Sequence, residues 1–141
     1  MIRKATMEDV QGLAELMSEL GYPTSYENMK QRYSKINQHP DYYTLVYEIE
    51  GQLVGMTGMI RAFRYEDDYS YVRIVSMVVK EFARGKGIGY ELLKASESWA
   101  KGQGCHMVTL NSGNREERSK AHEFYKRNGF VGSATGFYKK L

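Results

Sequence analysis

Arg84-Gly85-Lys86-Gly87-Ile88-Gly89 is the stretch on which the reading of this chain turns. An apolar run from Val72 to Val79 precedes it and reads as a buried strand. Residues 90–101 follow it as a helix, because Ile88, Leu92, Ala95 and Trp99 recur at helical spacing. Strand, glycine loop and helix together make a receptor for phosphate. The first N–H groups of a helix lack partners within it, and the helix dipole favours an anion at that end. Glycine lets the loop turn tightly and lets a ligand come close to the backbone. Arg84 and Lys86 add positive charge at the same place, so a pyrophosphate fits.

Spacing rules out two familiar phosphate loops. A P-loop requires G-x-x-x-x-G-K-[ST], but Gly87 follows Gly85-Lys86 where Ser or Thr is needed. A dinucleotide fingerprint requires G-x-G-x-x-G, and Gly89 comes one residue early. What remains is [RQ]-x-x-G-x-G on a strand-to-helix turn.

The rest of the composition sets bounds. With 141 residues, 42% apolar and 26% charged, the chain suits one globular domain spanning 1–141. No repeat or low-complexity segment marks a boundary within it. The net charge of +3, from 20 basic and 17 acidic residues, is too mild to imply nucleic acid. No window approaches the length of a membrane span, so no membrane partner is expected. One cysteine, Cys105, excludes an internal disulfide. With no export signal, a reducing cytoplasm is the expected location. Cys105 lies where a buried strand begins and reads as a small apolar residue.

Taken in order, residues 2–5 form a first strand. Thr6 caps a helix whose apolar stripe is Val10, Leu13, Ala14, Met17 and Leu20, and Gly21 ends it. Ser25 starts a second helix, closed by Pro40. Residues 42–49 and 52–62 are strands joined by a tight turn at Glu50-Gly51. Residues 63–70 form a polar tip bearing Glu66, Asp67 and Asp68. After the central helix, residues 106–110 read as a short strand. Asn114 with Glu117 resembles a capping box for a last helix ending at Asn128-Gly129. Phe130-Val131 and Phe137-Tyr138 are read as a final strand pair. The expected class is α/β with a mixed sheet, in the order β-α-α-β-β-β-α-β-α-β-β. The strands on either side of the central helix are expected to be parallel, joined by a right-handed crossover.

The last helix carries a second signature: Ala121-His122-Glu123-Phe124-Tyr125-Lys126-Arg127-Asn128-Gly129-Phe130. Together with the glycine loop it resembles the GNAT superfamily of N-acetyltransferases, whose members close with A-x-x-[FL]-Y-x-x-x-G-F. The resemblance covers essentially the whole chain and implies an acyl-CoA N-acyltransferase fold with acetyl-CoA as acetyl donor and no metal. It implies that the strand end Met77-Val78-Val79 holds the acetyl carbonyl and pantetheine arm. It likewise assigns the pyrophosphate to the amides of Arg84, Gly85, Lys86, Gly87, Ile88 and Gly89. Tyr125 matches the tyrosine that faces the CoA sulfur and protonates the departing thiolate. An O–H donor held rigidly on a helix suits that role.

Three positions depart from the family pattern. Glu81 stands where a proline commonly begins the bend, which implies a looser bend. Arg118 replaces an asparagine, so Asn114 or Asn111 is expected to serve the pantetheine instead. Val75 stands where relatives often carry a glutamate base, so no general base can be transferred. His122 and Glu48 are the remaining candidates, while His39 and His106 read as structural. No metal-ligand spacing or G-x-S-x-G nucleophile elbow is present.

The expected acceptor is a small-molecule primary amine, and the acidic tip could attract a cationic one. The alternatives are a catalytically idle acyl-CoA-binding module and an enzyme acting on a protein amine. A homodimer is open to either.

Overall fold

The computed structural model describes residues 1–112 and 119–141. It contains two compact units, Met1–Thr109 and Leu110–Leu141.

The first unit opens with β1 (Ile2–Lys4) and a 3-10 turn (Met7–Asp9) that leads into α1 (Val10–Leu20). Thr6 starts this turn through a closed capping box. Its hydroxyl accepts the Glu8 N–H, and the Asp9 carboxylate accepts the Thr6 N–H at 2.8 Å. Gly21, with φ of 101°, ends α1 in the left-handed conformation. Ser25 then caps α2 (Tyr26–Gln38) by accepting the Asn28 N–H. Three long strands follow: β2 (Tyr42–Ile49), β3 (Gln52–Phe63) and β4 (Ser70–Val79). A second 3-10 turn (Glu81–Ala83) and the glycine loop lead to α3 (Ile88–Gly102), and then to β5 (Val108–Leu110).

The sheet order is β1-β2-β3-β4-β5, with β1 to β4 antiparallel in turn. His106 N–H bonds the Ser70 carbonyl and Val72 N–H bonds the Met107 carbonyl. These bonds advance in the same sense along both segments, as a parallel pair requires, so the sheet is mixed.

Register decides which face each strand residue takes. Val46, Met56 and Val78 lie across from one another and pack with Leu13, Leu16 and Met29 beneath α1 and α2. The alternate residues face α3. There a Cβ on Gly55 would come within 3.2 Å of Leu92, so glycine allows α3 to lie close. Tyr43 stacks on Trp99 at 4.8 Å between centroids. Helices on both faces explain why β3 is buried continuously from Leu53 to Met59 rather than alternately.

Arg3 ties the edge of this unit together. It makes two 2.8 Å bonds to Asp9 and one of 2.7 Å to Glu48, joining β1, β2 and the entry to α1. Hydrogen bonding from Arg3 holds the buried Asp9 carboxyl below the ordinary carboxylate range. A depressed folded pKa favours the folded state while the group is charged. The contribution is therefore complete at neutral pH, begins to fade near about pH 4, and is lost as pH drops through the folded value. Asp9→Asn is expected to cost about 1–3 kcal/mol at pH 7. Urea unfolding of both proteins at pH 7 and pH 3 checks this; the gap should narrow in acid, and a constant gap would assign it to packing.

The second unit contains α4 (Ser119–Arg127). The proposed Asn114–Glu117 capping box lies outside the described residues. The expected strands at 130–131 and 137–138 are not formed; residues 130–141 carry no regular structure. Two-residue strands around a glycine-bearing link offer too few ladder bonds to hold a hairpin. The Tyr138 hydroxyl instead accepts the Asn111 side-chain amide at 2.9 Å.

Candidate active site

The glycine loop forms where β4 gives way to α3. Lys80 N–H closes the strand on the Val54 carbonyl, and the 3-10 turn is held by Ala83 and Arg84 N–H groups on Lys80 and Glu81. The bend at Glu81 is therefore made without proline, by a hydrogen-bonded 3-10 turn. Gly85 and Gly87 then adopt φ of 78° and 82°. A Cβ at either would meet nothing within 4 Å, so the demand for glycine is conformational rather than spatial. Gly87 is the N-cap of α3 and supplies no side-chain cap. The first amides of α3 thus lack both an intrahelical acceptor and a capping side chain.

Charge flanks this turn. Arg84 donates through Nε to the Val79 carbonyl at 2.9 Å and faces Glu19 of α1 at 3.8 Å. Lys86 has no carboxylate partner among the described residues. Glu91, in the first turn of α3, acts on the Tyr47 hydroxyl of β2 and raises its pKa.

The end of β4 presents its backbone outward. Lys80 bonds β3, and Val78 and Ser76 share that hydrogen-bonding side by alternation, so Met77 and Val79 turn their polar groups to the opposite edge. The bonds from β4 to the 106–107 segment are made at Ser70 and Val72, near the start of β4.

Between these regions lies a feature the sequence did not reveal. Gly58 pairs with Ser76 but Met59 pairs with Ile74, so Val75 is the extra residue of a β-bulge. Val75 is 48% exposed despite its apolar side chain. Beside it, the buried Ser76 hydroxyl has no hydrogen-bond partner among the described residues, nor has that of Thr57 on β3. Such orphaned groups stand out against the usual satisfaction of buried polar atoms. No glycine or proline lies on β4 itself at the bulge; the one beside it, Gly58, is on the facing strand, so the bulged segment carries no signal of its own.

In the second unit, the A-x-x-F-Y-x-x-x-G-F motif has a structural explanation of its own. Gly129, with φ of 88°, closes α4 in the left-handed conformation. Gly129 N–H bonds the Lys126 carbonyl and Phe130 N–H bonds the Tyr125 carbonyl, which is a Schellman cap. Phe130 packs edge-on against Tyr125 at 5.9 Å, the apolar contact that accompanies such a cap. His122 lies on the same helix, three residues before Tyr125. Asn114 lies outside the described residues.

Other sequence candidates fare differently. Glu48 is held by Arg3 at 2.7 Å and so is not an unengaged base. At the tip, Arg64 pairs with Glu66 and Asp67, which reduces its pull on a cation. His106 packs on Tyr69 and His39 on Tyr42. Among the described residues, no three or more His, Cys, Asp or Glu gather as a metal site, and no helix is long and apolar enough to cross a membrane.

The family model for the acetyltransferase (GNAT) family matches residues 10–130. No curated protein matches the chain in sequence. Among solved structures, a GNAT family acetyltransferase from Staphylococcus aureus subsp. aureus USA300_TCH1516 is 35% identical. It superposes with a TM-score of 0.87 over 100% of this chain and 98% of its own. The aminoglycoside N-acetyltransferase AAC(6')-Iy, solved in complex with CoA, is 17% identical with a TM-score of 0.87, covering 99% and 93%. An aminoglycoside acetyltransferase from an uncultured soil metagenomic sample, in complex with sisomicin, is 16% identical with a TM-score of 0.81, covering 100% and 95%. At those two identities the likeness speaks for the fold alone.

Proposed function

We propose, from the premise that this chain belongs to the GNAT family and is an N-acetyltransferase, that it moves an acetyl group from acetyl-CoA directly to a primary amine of a small molecule. The observation that carries the reading is the loop: two left-handed glycines and an uncapped helix N-terminus directly after a strand with an outward-facing backbone edge. In this proposal the pyrophosphate rests on the amides from Arg84 to Gly89, with Arg84 and Lys86 supplying charge. The pantetheine runs along Met77, Val78 and Val79. Residues 1–141 act as one catalytic domain, a reading supported by a family match that extends across both units.

The chemistry needs a neutral amine. About one alkyl amine in a thousand is neutral at pH 7, a cost of roughly 4 kcal/mol unless the site assists. The amine nitrogen attacks the thioester carbonyl carbon, the carbon–sulfur bond breaks, and Tyr125 gives its proton to the thiolate. The amine's surplus proton passes to water, with His122, three residues before Tyr125, as the remaining candidate to assist, since Val75 offers no base and Glu48 is engaged with Arg3; water returns a proton to Tyr125 and so closes the cycle. A cytoplasmic setting suits the acetyl donor and the single cysteine.

Aminoglycoside acetyltransferases among the structural relatives support starting the acceptor search with cationic small amines. Incubation with acetyl-CoA and a panel of aminoglycosides, polyamines and peptides, with free thiol as readout, tests the proposal. Release stimulated by a small amine is the expected result. Release stimulated only by peptides would indicate a protein acceptor. CoA binding without stimulated release would identify an idle module.

A further inference from the structure

We propose that the cleft between the end of α2, the start of β2 and the last turn of α3 binds a small aromatic carboxylate. The cleft has a volume of about 290 Å³ and lies wholly within the first unit. It sits at the far end of α3 from the glycine loop. That helix has 15 residues, so the two places are about 20 Å apart and the cleft is separate from the proposed acetyl-CoA site.

Three properties of its wall point to the ligand. The first is aromatic surface: Tyr33, Tyr42, Tyr43 and Trp99 all line it. Tyr43 stacks with Trp99 at an interplanar angle of 13°, which fixes both rings. The second is charge. No aspartate or glutamate lines the cleft. The neighbouring Asp41 is neutralised by Arg61 at 3.0 Å. Lys4 brings a positive charge with no carboxylate partner among the described residues, and the Tyr43 ring holds its ammonium at 5.3 Å from the centroid.

The third property is a set of hydrogen-bonding side chains able to donate. The His39 Nδ1 accepts the Asp41 N–H, so in the neutral ring Nε2 carries the proton and donates. The side-chain amides of Asn37 and Gln103 also line the cleft and make no bond to the described protein. Aromatic walls with a cation, further donors and no acid match a planar ring bearing a carboxylate. The volume lies at the lower limit for small-molecule sites, which suits a one-ring ligand of about ten heavy atoms.

Trp99 is the one tryptophan of the chain, so its fluorescence reports directly on this cleft. Benzoate is the probe, benzamide the uncharged ring, and cyclohexanecarboxylate the non-aromatic acid. Benzoate should change the emission saturably, with a dissociation constant of about 1 mM or tighter. Both analogues should bind at least about tenfold more weakly. Lys4→Met should weaken benzoate at least about tenfold, whereas Lys4→Arg, which keeps the charge, should stay within about threefold. Lys94, which lies over Tyr90 outside the cleft, provides the control: Lys94→Met should leave binding unchanged. Circular dichroism verifies that each variant is folded. The proposal is overturned if benzoate produces no saturable change up to 10 mM, if benzamide binds equally well, or if a folded Lys4→Met variant binds like the parent.

Discussion

Tyr125→Phe should lower kcat by about 10–1,000-fold while both KM values change little. In the proposed mechanism the hydroxyl acts only as the carbon–sulfur bond breaks. A group used only in the transition state lowers kcat and kcat/KM together. The substitution is suitable because the ring has work of its own. Phe130 packs against it beside the Schellman cap of α4, and phenylalanine preserves that contact. Tyr125→Ala would confound loss of the donor with loss of the ring contact to Phe130. Single-turnover rates are the proper measurement, since slow product release would conceal part of the effect. A mutant reacting at the parental rate would make Tyr125 a packing residue and send the thiolate elsewhere for its proton.

Gly87→Glu should weaken CoA binding tenfold or more, about 1.4 kcal/mol, with the fold retained. Two effects combine. A side chain at φ of 82° is strained, costing about 1 kcal/mol or more, although no neighbour stands in its way. A carboxylate at the N-cap would also occupy the α3 amides proposed for the pyrophosphate and repel it. Gly87→Ala separates the two effects, because it introduces the strain without the charge. Calorimetry with CoA measures both variants. Affinity unchanged in a folded Gly87→Glu protein would remove the loop from the site.

Much of the molecule is written locally and was legible for that reason. The turn at Glu50-Gly51 places two consecutive residues at positive φ, and its sequence announces it. The caps at Thr6, Ser25 and Gly21 are equally local, as is the glycine loop. What escaped was set by partners distant in sequence. Glu48 looked available until Arg3, 45 residues away, was found to hold it. Val75 resembles its neighbours in an apolar run, and only the register against β3 exposes it as a bulge. Phe130, Val131, Phe137 and Tyr138 have the composition of strands, yet composition does not supply a ladder. The cleft at Lys4 draws on β1, α2, β2 and α3, so no single window contains it.

The sheet order bears on how the chain is made. Strands lie side by side in the order in which they occur in the sequence. During synthesis from the N-terminus, each strand therefore emerges to find its neighbour already outside the ribosome, and none has to be inserted between two that are already paired. Residues 42–79 can zip as a meander through short connections, while β1 waits for β2 to arrive from beyond two helices. β4 keeps its outer edge open until α3 has been made and β5 follows. Nascent chains that stop short of β5 thus expose that edge, and it is there that a stalled or truncated product would pair with another chain.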